Sequence, residues 1–162
     1  MAGVVTDTAG DRTPTVWSST DGVAWTQTTV GELVPGRWSV PAMALTPAGY
    51  VLTLTELAEG GPIGHIWSSP DGVAWTETLV DDSGPLGVVG TAGTDALVIG
   101  HGQVLRSPDA VTWTSTDEPS FQGWSVRDLM TLADGRLFAA GDAQDPTGSS
   151  MAVWVGEAAP AP

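Results

Sequence analysis

The stretch "WSSPDGVAWTET", residues 67–78, is written a second time, almost letter for letter, as "WSSTDGVAWTQT" at residues 17–28. A looser version, "LRSPDAVTWTST", occupies residues 105–116, and "WVGE" at 154–157 opens a fourth that goes no further. The opening positions Trp17, Trp67, Leu105 and Trp154 are 50, 38 and 49 residues apart. Periods of this size suit either propeller-type sheets or paired-helix repeats. The letters between the copies decide for sheets. They are short Val/Thr/Trp-rich runs broken by Asp-Gly, Ala-Gly and Pro, and no window keeps a 3.6-residue apolar spacing over ten positions.

The second unit is the fullest. "WSVPAMAL" reads as a first strand, "YVLTLTEL" as a second, "IGHIWSS" as a third and, after the turn "PDG", "VAWTETLV" as a fourth. The third unit repeats this as "LGVVGTA", "DALVIGH", "QVLRS" and "VTWTST". The fourth gives "WSVRDLMTL", "RLFAAGD", a longer loop "AQDPTGSS" and "MAVWVGE", with no fourth strand after it. The first gives "GVVTDT", "TPTVWSS" and "VAWTQTTV", with no strand before them. About fourteen strands are expected, in sheets over residues 1–30, 38–80, 86–116 and 124–157 of a single domain.

Within the motif, Gly22 and Gly72 supply the positive φ that a tight turn needs. Ser19 and Asp21, Ser69 and Asp71, and Ser107 and Asp109 carry short acceptor side chains able to bond backbone N–H groups inside the turn. Trp25, Trp75 and Trp113 each follow the Asp by four residues and are expected to wedge between neighbouring sheets. A repeated sheet needs the same clasp and wedge each time, which accounts for the repetition.

"SSTDGVAW", "SSPDGVAW" and "RSPDAVTW" resemble the Asp-box, or bacterial neuraminidase repeat, of sialidase-like β-propellers. The usual box runs Ser-x-Asp-x-Gly-x-Thr-Trp. Here it is one residue shorter, and Ala110 stands where the third copy should have Gly. The resemblance implies an all-β propeller of about three and a half four-stranded antiparallel blades, an incomplete ring. It places the boxes on the blade periphery, away from the binding face. It also implies an extracellular or cell-envelope bacterial setting, although "MAGVVTDTAGDRT" has neither the basic head nor the apolar run of an export signal.

A sialidase-like site would need three arginines on a carboxylate, a Tyr–Glu pair and an acidic proton donor. The chain has Arg12, Arg37, Arg106, Arg127 and Arg136, none in an Arg-Ile-Pro context, and one tyrosine, Tyr50. No catalytic residue is assigned. Trp38 and Trp124 both precede Ser-Val at the start of a first strand, where propellers bind ligands, and are candidates for stacking on a glycan or a protein partner. His65 and His101 are not at equivalent repeat positions, cysteine is absent, and no cofactor or metal is expected. Asp142 and Asp145 lie in a segment without the alternation of a calcium loop.

Five cations, all arginine, against 19 acids give a net charge of −14, which repels phosphate backbones and argues against nucleic acid. No apolar run is long enough for a membrane span. Open sheet edges invite pairing, so the remaining blades of a longer propeller, or another chain, are the expected partners. The function implied is a non-catalytic scaffold or binding module. The alternative is a fragment of a sialidase-like glycoside hydrolase with most of its catalytic residues elsewhere.

Overall fold

The computed structural model describes residues 1–39, 42–145 and 148–156. These form an all-β structure of four antiparallel sheets. The first sheet holds β1 (Ala2–Thr6), β2 (Arg12–Ser18) and β3 (Thr26–Thr29); the second holds β4 (Ala42–Thr46), β5 (Gly49–Ala58), β6 (Gly61–Ser69) and β7 (Thr76–Asp81). The third holds β8 (Val89–Ala92), β9 (Asp95–Gly100), β10 (Gln103–Ser107) and β11 (Thr114–Asp117). A short 3-10 turn, Pro119–Phe121, leads to the fourth, with β12 (Ser125–Thr131), β13 (Leu137–Asp145) and β14 (Gly148–Val155). Within each sheet the strands lie side by side in chain order.

The stacking follows from side-chain alternation. Successive residues of a strand point to opposite faces, yet Val51, Leu52, Thr53, Leu54 and Thr55 of β5 are all buried. Leu52 and Leu54 join Val16, Trp67 and Trp75 in a core between the first two sheets. Val51 turns the other way, into a second core with Ile66, Val98 and Leu105. On that side Thr53 and Thr55 hydroxyls donate to the carbonyls of Gly87 and Leu86, at 2.7 and 3.4 Å. In the third sheet β9 repeats the division: Ala96 and Val98 face back into the second core, while Leu97 and Ile99 face a third core with Val126, Leu129 and Ala139. Three apolar layers therefore alternate with four sheets. The leading strands touch in sequence, β1 beside β4, β4 beside β8 and β8 beside β12.

The hairpins depart from the sequence reading in two places. "Val-Ala-Trp" does not begin the last strand of a unit: residues 70–74 are bends and β7 starts only at Thr76. The Ser–Asp clasp takes up these amides, so they are not free for a ladder. The long loop expected at 143–150 is mostly strand, since β13 runs on to Asp145 and pairs it with Gly148 of β14. Val40, Pro41, Pro146, Thr147 and residue 157 of the expected units lie outside the described residues.

Two irregularities aim side chains. A β-bulge extends one strand by a residue and redirects what it carries. In β12 the register jumps between Val126 and Asp128, leaving Arg127 unpaired. In β7 Thr78 is the extra residue, opposite the Ile66/Trp67 step. Its hydroxyl donates to Ile66 O at 3.3 Å and accepts from the Trp113 indole N–H at 3.2 Å, joining the second and third sheets.

Candidate functional site

The three repeated loops share one construction. Each sits between the last two strands of its sheet. The Ser19, Ser69 and Ser107 hydroxyls each donate to an oxygen of Asp21, Asp71 and Asp109 respectively, all at 3.0 Å. That same oxygen accepts two backbone N–H groups. For Asp21 they come from Val23 and Ala24 at 2.8 and 2.9 Å, and for Asp71 from Val73 and Ala74 at the same distances. For Asp109 they come from Val111 and Thr112, at 2.9 and 2.7 Å, and the Thr112 hydroxyl adds a bond to the other oxygen at 3.1 Å.

Bonds to the ionised form hold a carboxyl's pKa down. The amides of Val23 and Ala24 lower that of Asp21, and those of Ala74 and Val73 lower that of Asp71. Asp109, held by Thr112 first and then Val111, falls to about 2. These carboxylates are engaged with their own loops. Gly22 and Gly72 take φ of 73° and 75°, as expected; Ala110 takes 59°, the same turn made without glycine.

The tryptophans after the clasps differ. Trp75 is 8% exposed, packed on the first sheet, with its indole N–H donating to Gly72 O at 3.3 Å. Trp113 packs on the second sheet beside Leu79 and Thr78. Each thus covers the sheet before its own. Trp25 is 50% exposed, a correction to its expected role as a wedge. No described sheet lies on its side of the first sheet, so its ring is left half in solvent.

Trp38 also departs from expectation. It is 5% exposed, because segment 34–39 folds back over the second sheet: Ser39 N donates to Thr55 O at 2.8 Å and Leu57 N to Arg37 O at 2.7 Å. Its indole donates to Val34 O, and its carbonyl accepts from Arg12 Nη1. Its ring meets His65 edge to face, centroids 5.3 Å apart. A ring enclosed in this way has no face left for a ligand. His65 Nδ1 lies 2.7 Å from Glu77, and Nε2 lies 3.7 Å from Glu56. This buried contact braces Trp38.

Trp124 is different. It is half-buried, its ring edge-on to Trp154 at 5.3 Å, and it lines a cleft of about 650 Å³. Its lining includes Ala42, Val88 and Val126, in or next to the leading strands, with the exposed His101 and Arg127 beside them. The bulge puts Arg127 there. Its guanidinium grips Asp142 with Nε at 2.6 Å and Nη2 at 3.4 Å, a contact that raises the arginine's pKa and lowers the carboxyl's. Gly141 lets β13 lie this close to β12, since a Cβ there would meet Ser125 O at 2.5 Å.

No protein-family model, curated protein or solved structure matches this chain. The site must be read from its own residues. Among the described residues Arg127 is the one arginine lining the cleft. Arg106 pairs with Asp95 and Arg136 with Asp134, both elsewhere. Tyr50 packs over the Gly72 loop. Arg127 and His101 were not singled out as cleft residues in the sequence; a bulge leaves no mark in one-dimensional spacing.

Proposed function

We propose that the four sheets are successive blades of an Asp-box β-propeller of the sialidase-like type, and that the chain is a non-catalytic scaffold or binding module of a bacterial exported or envelope protein. The observation that carries this reading is the recurrence of one Ser–Asp clasp between the last two strands of three successive sheets. The leading strands, placed side by side, support it.

The non-catalytic part rests on the cleft's chemistry. One arginine, already bound to its own carboxylate, does not make a three-armed grip on an acidic sugar. The hydroxyls of Thr53 and Thr55 are spent on backbone carbonyls. An aromatic ring beside an arginine in a mainly apolar cleft suits a stacked sugar ring of a glycan.

Intrinsic tryptophan fluorescence, titrated with neutral and sialylated oligosaccharides, tests this. Trp124→Ala is expected to weaken binding about tenfold, or about 1.4 kcal/mol. Unchanged affinity in that variant would remove the cleft from the reading. Turnover of a fluorogenic sialoside by the wild-type chain would replace the binding module with an enzyme.

A further inference from the structure

The strands that lead into the three clasps (β2, β6, β10), and β14 in the fourth sheet, carry equivalent neighbours that face opposite ways. In the first sheet these are Val16 and Trp17, in the second Ile66 and Trp67, in the third Val104 and Leu105, and in the fourth Val153 and Trp154. The leading member of each pair faces the following sheet; the trailing member faces the preceding one. Val16 accordingly shares a core with Trp67, Ile66 with Leu105, and Val104 with Trp154. Three matches use up six of the eight side chains. Trp17 and Val153 are left over, at opposite ends of the stack.

The surroundings of the two leftovers are complementary in the same way as the internal layers. On that face Val5, 41% exposed, lies opposite Thr13 of β2, and Trp25, 50% exposed, follows the first clasp as Trp75 follows the second. Around Val153, itself 60% exposed, lie Met151 at 88% and Val155 at 54%. Phe138 pairs with Val155 and with Met130, extending the same face. Internally, the ring equivalent to Trp25 is Trp75, and it is buried in one core with Val16 and Val30 of the preceding unit. Clusters of exposed apolar side chains are where chains meet partners.

We propose that these two faces dock on each other between two copies of the chain, the Trp17/Trp25 face of one against the Val153/Val155 face of the other. Two such contacts close a pair of eight sheets, within the four to eight that propellers use. The interface is head-to-tail and repeated twice. This rests on the reading of the sheets as blades. With −14 on each copy, the pair tightens as salt screens their repulsion.

Sedimentation velocity on the wild-type chain and two variants tests it. The wild type is expected at twice 16.6 kDa. Trp25→Asp and Val153→Asp, each alone, should be monomers with unchanged circular dichroism. Should Val153→Asp fail to fold, Met151→Asp replaces it at a more exposed position. An equal mixture of the two variants retains one intact contact and should regain a pair, weaker than wild type. A monomeric wild type, variants that pair as well as wild type, a ladder of larger species, or a mixture that stays monomeric would each overturn the proposal. The blade reading is scored separately by the thermal midpoint. If Trp75→Ala lowers it and the wild type is monomeric, only the pairing is lost; if Trp75→Ala changes nothing, the blade reading goes too.

Discussion

The loops at 19–25 and 69–75 differ by one letter, Thr20 against Pro70, and hold the same Ser–Asp and Asp–amide hydrogen bonds at the same distances. Yet Trp75 is 8% exposed and Trp25 is 50% exposed. The local sequence makes the clasp, while the neighbouring sheet decides whether the ring after it does any packing. The loop is therefore locally encoded, and the worth of its tryptophan is not.

The largest effect expected from this contrast is at the rings. Trp75→Ala should cost about 3–5 kcal/mol in urea unfolding, the range for emptying an aromatic site in a core. Trp25→Ala, measured at a concentration where the chain is monomeric, should cost under about 1 kcal/mol. Equal losses at the two sites would break the comparison.

Gly31 comes next, because it is the surface on which the second sheet's other ring lies. A Cβ there would come within 2.5 Å of Trp67, at a backbone φ of 55°. Gly31→Ala therefore combines overpacking with left-handed strain and should cost about 2–4 kcal/mol. Gly22 has φ of 73° and nothing within 4 Å of a Cβ. Gly22→Ala should cost only about 1 kcal/mol, the conformational part alone.

Acid sharpens the comparison among the clasps. The folded-state pKa of Asp109 is depressed to about 2, chiefly by the Thr112 and Val111 amides. Its contribution to stability is thus complete above the ordinary carboxylate value of about 4 and fades as pH falls toward about 2. Carboxyl NMR titration should put Asp109 lowest in that window. Thr112→Val, which removes the hydroxyl bond, should move it upward.

The smallest effect is expected at Ala110. Its φ of 59° favours glycine by about 1 kcal/mol, but the residue is buried, and losing its methyl costs about 0.8 kcal/mol. Ala110→Gly should leave the unfolding free energy within about 0.5 kcal/mol of wild type. This near-balance gives a physical reason why the third copy can depart from the other two.

The contrast also shows how much was legible in the sequence. Alternating Val/Thr/Leu runs and the punctuation between them marked the strands, because one strand's periodicity is a local property. Asp21, Asp71 and Asp109 were legible as clasps for the same reason. Trp25 was misread because no described sheet packs on that side of the first sheet, and Trp38 because residues 34–39 turn back to pair with Thr55 and Leu57. Arg127 reaches the cleft through one extra residue in β12, and it could not be distinguished from any other exposed arginine by its spacing.

The doubly covered strands β5 and β9 have a further consequence. Each sheet rests chiefly on its neighbours, so opening need not involve the whole molecule at once and can start from either end. Val51 to Thr55 and Ala96 to Ile99 cannot meet water until a layer on one side has been peeled away. The slowest amide exchange should fall in the middle of the stack and quicken toward both outer sheets, a gradient set by position along the row more than by the strength of any one strand.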